Sequence, residues 1–215
     1  LQELFKSNPN LDYLSADLDM PTAMVKMDIT NITLPDNTFD VVICNHVLEH
    51  VPDDKKAMSE LYRILKPGGW AILQTPMSNL PNTVEDLTIT DPRERERLFG
   101  QDDHVRTYGM DKKNRLEAAG FRVELNHFLF ELPQAEIDRY AISREDIWIA
   151  HKDWAISLHN EKCNRMVYLR WLFCQTDTHI KDNINGTVHL DRPKKHFRRF
   201  DAEVHHIESL LPFNK

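Results

Sequence analysis

The run Phe39-Asp40-Val41-Val42-Ile43-Cys44 constrains the fold more than any other part of this chain. It is nearly continuously apolar and follows the turn sequence Leu34-Pro35-Asp36-Asn37. A strand that is apolar on both faces has to be covered on both. A mostly parallel sheet with helices on either side provides that cover. The neighbouring segments agree. Asp53 is placed to cap a helix and Asp54 to open its first turn. Ala57, Met58, Leu61, Ile64 and Leu65 then recur at helical spacing, and Lys66-Pro67-Gly68-Gly69 ends the pattern. Trp70 to Leu73 reads as the next strand. Met110 to Ala119 reads as a helix ended by Gly120, Phe121 to Leu125 as a strand, and Ile147 to Ala150 as the last strand. Upstream, Leu1 to Lys6 is the end of a helix. Leu11 to Ala16 and Met24 to Met27 are short strands that stop at Asp17 and Asp28. Residues 79–106 are polar and charged, with a short helix starting at Asp91-Pro92, and read as an insertion over the strand ends. The alternation predicts an α/β fold with a Rossmann-like, mostly parallel sheet.

In open α/β sheets ligands sit beyond the carboxyl ends of the strands. The residues to watch are therefore Asp17, Asp28, Asn45 and Thr75. An acid after a second strand can accept both hydroxyls of a ribose. Asp17, with Leu18 beside it, stands at such a place. Asp28 can accept from an adenine amino group, and Ile29 offers a backbone amide and an apolar wall. Asn45 follows the buried strand with a neutral polar group. Each acid taken singly is equally well explained as a strand-end turn or a helix cap.

Taken together the segments resemble a known family. Leu34-Pro35-Asp36-Asn37-Thr38-Phe39-Asp40-Val41-Val42, followed by Asn45-His46-Val47-Leu48-Glu49-His50-Val51, looks like the fourth-strand region of class I S-adenosylmethionine-dependent methyltransferases (type 11-like domain). Leu61-Tyr62-Arg63-Ile64-Leu65-Lys66-Pro67-Gly68-Gly69-Trp70 looks like their helix, turn and fifth strand. Residues 91–109, from Asp91-Pro92 to Tyr108-Gly109, resemble a segment of one bacterial subgroup. The likeness covers residues 1–152. It implies S-adenosylmethionine as cofactor and methyl transfer to an acceptor that the sequence does not identify. It gives Asp17 to the ribose, Asp28 and Ile29 to the adenine, and Asn45 with His46 to the methionine end, with Leu18 also binding the cofactor. Glu49 and His50 would face the acceptor, and His104, Arg106 and Tyr108 of the insertion could bind it. His50 and His104 are the candidate bases, needed only where the acceptor must first lose a proton. The plainer reading makes His50 a loop-ordering histidine, and Arg95, Arg97 and Arg106 solvated partners of neighbouring acids.

The chain also departs from that family. Its first glycine is Gly68, and nothing before Asp17 reads as the first strand and Gly-rich turn such enzymes carry. That strand normally lies mid-sheet, between the second and fourth. The expectation is an amino-terminal truncation or a sheet that closes differently, because the neighbours would otherwise keep unpaired backbone groups. An alternative function follows: a non-catalytic, truncated methyltransferase-like domain serving as an interaction module, or an inactive fragment. A nicotinamide-dependent oxidoreductase is disfavoured, since no G-x-G-x-x-G is present.

Residues 153–215 differ in composition and read as a carboxyl-terminal helical extension. They carry 10 Lys and Arg against 8 Asp and Glu, a net of +2, which leaves 17 against 26, a net of −9, for residues 1–152. Asp153 to Cys174 has a helical apolar pattern through Trp154, Leu158, Val167, Trp171 and Leu172. Asn185-Gly186 is a turn, residues 192–199 are a basic run, and Phe200, Val204, Ile207 and Leu211 mark an amphipathic helix. This tail is a candidate for covering a sheet edge or for homodimer contacts. Its histidines show no tight ligand spacing, and no metal site is expected there. The acidic body argues against nucleic acid as a partner. No apolar run is long enough for a membrane span, and no signal peptide is visible at residues 1–10. The three cysteines form no C-x-x-C, so a reducing cytoplasm is the expected location.

Overall fold

A central sheet is built from strands far apart in sequence. The computed structural model describes residues 2–154 and 165–170. In chain order the described elements are α1 (Gln2–Ser7), β1 (Asp12–Asp17), β2 (Val25–Lys26), β3 (Phe39–Asn45), α2 (Asp54–Ile64), β4 (Leu65–Ile72), β5 (Val84–Glu85), α3 (Pro92–Phe99), β6 (Arg106–Thr107), α4 (Lys112–Ala118), β7 (Arg122–Asn126), α5 (Phe128–Glu131), α6 (Gln134–Tyr140), β8 (Ile147–His151) and β9 (Arg165–Arg170). Seven strands form one sheet in the order β2-β1-β9-β3-β4-β8-β7, and β5 with β6 forms a separate ribbon. β2, β1, β9, β3 and β4 run parallel, whereas β8 is antiparallel to both β4 and β7. Residues 128–145 form a compact unit of their own, with Leu129, Ile137 and Ile142 buried. The sheet belongs to the unit of residues 2–127 and 146–171. No described helix is long and apolar enough to cross a membrane.

β3 is the axis of the core. Val41, Val42, Ile43 and Cys44 are all buried, as the apolar run predicts for a strand covered on both faces. Val42 and Cys44 share a cluster with Ala57, Met58 and Leu61 of α2 and with Leu65, Ala71 and Leu73. Asp53 caps α2 through its carboxylate, which accepts from the Lys56 amide at 3.0 Å. The helix ends one residue earlier than Lys66-Pro67-Gly68-Gly69 predicts, because β4 already begins at Leu65. Those four residues instead form an irregularity within β4. Leu65 pairs with Phe39, and pairing resumes only at Trp70 with Val41. Gly69 is required there: a Cβ would lie 2.7 Å from the Asp40 carbonyl oxygen.

Two expectations are corrected at the middle of the sheet. Ile147–His151 is not the last strand, and residues 165–170 are not helical. They form β9, which lies parallel between β1 and β3. The gap expected from the missing first strand is thus occupied by a segment from the far end of the sequence. The extension expected at residues 153–215 contributes a strand to the sheet. The physical reason is backbone pairing. β1 and β3 each present a row of N–H and C=O groups that must be satisfied. Met166-Val167-Tyr168-Leu169 has the β-branched and aromatic content that suits a pleated strand. The other features expected in the tail, namely the turn at Asn185-Gly186, the basic run and the amphipathic helix, lie outside the described residues.

Arg63 fastens the loop before β3 to α2. Its guanidinium donates to the carbonyls of Ile32 at 2.7 Å and Leu34 at 2.8 Å, to Asp36 at 2.7 Å and to Glu60 at 2.8 Å. The Arg63 bond holds the Glu60 carboxyl below its ordinary range against the opposing effect of burial, and the Ile32 amide adds to it. A depressed carboxyl contributes stability that is present above its unfolded value and is lost as pH falls through the folded one. Two outcomes are expected. The melting temperature falls as pH drops below about 4.5, and Glu60→Gln costs roughly 1–3 kcal/mol at pH 7 while flattening that acid limb. Val167→Pro, which removes a ladder donor from a central strand, lowers the melting temperature by roughly 10 °C or more in a thermal scan.

Candidate functional site

The carboxyl ends of β1, β9 and β3 come out side by side. Ala16 is in register with Leu169, and Asn45 with Arg170. Beyond β1 and β3 lies a cavity of about 350 Å³, within the range of small-molecule sites. Ala16 and Leu18 come from the end of β1, and Met27, Asp28, Ile29 and Thr30 from the segment after β2. Val47, His50, Val51, Pro52 and Asp53 come from the loop after β3. The wall is mostly apolar, with Asp28, His50 and Asp53 as its titratable groups.

The predicted site residues divide into those that line this cavity and those that do not. Leu18, Asp28, Ile29 and His50 line it. Asp17 does not, although it ends β1 next to Ala16 and Leu18. Its Oδ1 accepts from the backbone amides of Asp19 and Met20, each at 2.8 Å. Asp28 is likewise used in its own turn, where Oδ1 accepts from the amide and hydroxyl of Thr30 at 2.8 Å. Both acids thus serve as turn-forming residues, with the second carboxylate oxygen outside those bonds. Asn45 is buried, and among the described residues its Oδ1 has no hydrogen-bond partner. His46 has φ of 55°, a left-handed conformation that a non-glycine residue adopts only where its surroundings impose it. Its Nδ1 lies 3.3 Å from Oε1 of Glu49. Thr75 is buried and accepts from the Lys112 ammonium at 2.8 Å.

The insertion packs against the loop after β3. The Val105 amide donates to the Glu49 carbonyl at 3.0 Å, bringing His104 to His50 with ring centroids 4.7 Å apart, edge to face. Nδ1 of His50 lies 2.9 Å from Oδ2 of Asp103. Nδ1 of His104 lies 3.0 Å from the Phe99 carbonyl oxygen. Burial holds the His104 imidazole below its ordinary range, partly opposed by that carbonyl. Arg106 and Tyr108, expected to contact an acceptor, are instead fully buried structural groups. The guanidinium of Arg106 donates to the carbonyls of Leu48 at 2.8 Å, of Pro52 at 2.9 Å and of Val51, and to Glu85 at 3.0 Å. Tyr108 donates to Asp54 at 2.7 Å. Arg106 therefore clamps the loop that carries Glu49 and His50. Arg97 does pair with Glu94 at the surface, as a solvated charge. Sequence reasoning passed over Lys112 and Asp103. Lys112 sits at 0% exposure and donates to the Leu73 carbonyl at 2.7 Å. A lysine in a helix of mixed charge gives no sign of such burial, whereas Asp103 stands directly before a histidine already singled out.

Residues 6–73 match the family described as "Methyltransferase domain". This stretch is similar to methyltransferase domains. The demethylmenaquinone methyltransferase of Staphylococcus epidermidis is 41% identical over 59 residues, covering 27% of this chain and 24% of that one. The ubiquinone/menaquinone biosynthesis C-methyltransferase of Hydrogenovibrio crunogenus is 50% identical over 48 residues, covering 21% and 19%. The aligned part spans about a quarter or less of these curated relatives. A solved S-adenosylmethionine-dependent methyltransferase from Mesorhizobium loti is 17% identical, with a TM-score of 0.40, covering 59% of this chain and 66% of that chain. The methyltransferase-domain match begins in α1 and ends one residue past β4, so it holds β1 to β4 and the whole cavity lining but not β9.

Replacing Arg106 removes its donors from three loop carbonyls and from Glu85, which keeps Arg115. Arg106→Met is expected to cost about 3 kcal/mol in urea unfolding, and Arg106→Lys to recover only part of it, because an ammonium lacks the planar fork.

Proposed function

We propose that this methyltransferase-like chain binds S-adenosylmethionine in the cavity beyond β1, β2 and β3 and transfers its methyl group to an acceptor. The observation that carries this reading is that Leu18, Asp28 and Ile29 converge on one mostly apolar cavity at the carboxyl ends of parallel strands. A planar base suits walls made of Leu18, Ile29 and Val47, and the free oxygen of Asp28 suits an exocyclic amine. Asp17 ends the neighbouring strand, where its second carboxylate oxygen can take ribose hydroxyls. Asn45, buried with an unpartnered Oδ1, is the polar group toward the methionine end, and His46 stands beside it.

When bound, the sulfonium supplies a methyl group already activated by positive charge. This chain then has to hold an acceptor atom in line with that methyl and keep water away. His50 lines the cavity and is the residue best placed to take a proton from an acceptor that must lose one. The names of the curated relatives point to quinone-type acceptors for those proteins. For this chain the acceptor stays unspecified.

Calorimetric titration with S-adenosylhomocysteine tests the reading without naming an acceptor. Binding in the micromolar range, about −8 kcal/mol, is expected, with at least ten-fold weakening in Asp28→Ala and Asp17→Ala. A chain that melts cooperatively but gives no heat of binding would overturn it.

A further inference from the structure

Glu49 poses a problem that methyl transfer does not resolve. It is 1% exposed, and among the described residues neither carboxylate oxygen accepts a hydrogen bond. A buried carboxylate without donors is costly unless a cation compensates it. His46 contributes one imidazole nitrogen at 3.3 Å from Oε1 and is itself about one-third exposed. His50 and His104 also lie close to Glu49. Each of the three offers one potential ligand atom, and these atoms all lie within 4.8 Å of one another.

The two imidazoles are held in the way metal-binding histidines are held. In such sites the nitrogen that does not bind metal is fixed by a carboxylate or a backbone carbonyl, which sets the tautomer and aims the other nitrogen. Here Nδ1 of His50 lies 2.9 Å from Oδ2 of Asp103 as an ion pair rather than an aligned hydrogen bond, and Nδ1 of His104 lies 3.0 Å from the Phe99 carbonyl oxygen. Asp103 is in turn steadied by Gln101, whose amide donates to its Oδ1 at 2.7 Å.

We propose that Glu49, His50 and His104 bind a divalent first-row transition-metal cation, with Asp103 and the Phe99 carbonyl orienting the two imidazoles. One carboxylate oxygen and two imidazole nitrogens suit zinc, manganese or cobalt. Magnesium and calcium prefer all-oxygen sites. Three protein ligands leave coordination positions for water or an oxygen of a second ligand, as in open rather than purely structural sites. His50 also lines the cavity, so the metal would sit at its rim, and a metal-bound His50 would not also take a proton from an acceptor. Sequence spacing conceals the group: Glu49 and His50 are adjacent, but His104 reaches them only through the packing of the insertion. The site does not depend on the methyl-transfer reading, since cation binding requires neither cofactor nor acceptor.

The test is metal binding by the full chain after chelator treatment and dialysis. Zn²⁺ and Co²⁺ are titrated with thermal-shift and visible-absorption readouts. The wild type is expected to gain melting temperature with Zn²⁺ and to show the intense d–d bands of low-coordinate Co²⁺. Millimolar Mg²⁺ is expected to have no effect. Glu49→Gln and His104→Gln should weaken binding at least 100-fold. Asp103→Asn should weaken it 10- to 100-fold. His127→Ala and His151→Ala, which alter histidines outside the group, should leave it unchanged. Equal binding by wild type and by Glu49→Gln or His104→Gln would overturn the proposal, because the metal would then sit elsewhere. A folded wild type that takes up neither cation would also overturn it. Should either variant fail to melt cooperatively, zinc-edge X-ray absorption on the wild type decides: fewer than two imidazole ligands sinks the site. Loss of S-adenosylhomocysteine binding with metal binding intact would separate failure of the functional reading from failure of this one.

Discussion

The pairing of β9 with both β1 and β3 is the constraint on which the rest of the structure depends. Without it the sheet would divide into a β2-β1 piece and a β3-β4-β8-β7 piece, each with an open edge of backbone donors and acceptors. With it the carboxyl ends of β1 and β3 are held one strand apart. The loop after β1 and the loop after β3 can then form opposite walls of one cavity. The strand that closes the sheet comes from residues 165–170, so the site depends on a segment that lies far beyond the match to methyltransferase domains at residues 6–73. Joining strands so distant in sequence carries a loop-closure cost that grows only slowly with length. Complete backbone satisfaction in the middle of a buried sheet outweighs it.

Three cations perform a second, common task. Arg63, Arg106 and Lys112 each direct donors at backbone carbonyls of irregular segments that no strand or helix satisfies. Arg63 holds the loop before β3, Arg106 the loop after it, and Lys112 the end of β4. A planar guanidinium offers several donors in a fixed fork and can fix more than one carbonyl at once. The loop carrying Glu49 and His50 is therefore set by tertiary contacts rather than by its own propensity. The same clamp explains why Arg106 and Tyr108 are not surface groups available to an acceptor.

Much of the framework is legible in the amino-acid sequence. The apolar run of β3, the Asp53 cap of α2 and the helix at Pro92–Phe99 each rest on a local rule: strand burial, side-chain capping, or proline in the first turn. Strand-end residues Asp28, Leu18 and Ile29 are legible as site candidates for the same reason, since the carboxyl edge follows from the parallel order. Two readings fail for one shared reason. The pattern through Trp154 and Val167 is compatible with a helix, but residues 165–170 lie in a sheet whose neighbours demand a strand. Arg106 and Tyr108 look like exposed polar residues in a charged insertion, yet carbonyls and carboxylates more than 20 positions away bury them.

By itself the sequence determined the α/β class, the buried central strand, the helix caps and the acids at the strand ends, because each depends on neighbours within a few residues. Only the tertiary structure decided which segment fills the centre of the sheet and which strand-end residues share a cavity. It alone brought Glu49, His50 and His104 within 4.8 Å. Those outcomes depend on pairing and burial between distant segments, where a local pattern fits several partners and the satisfaction of buried backbone and charge selects one.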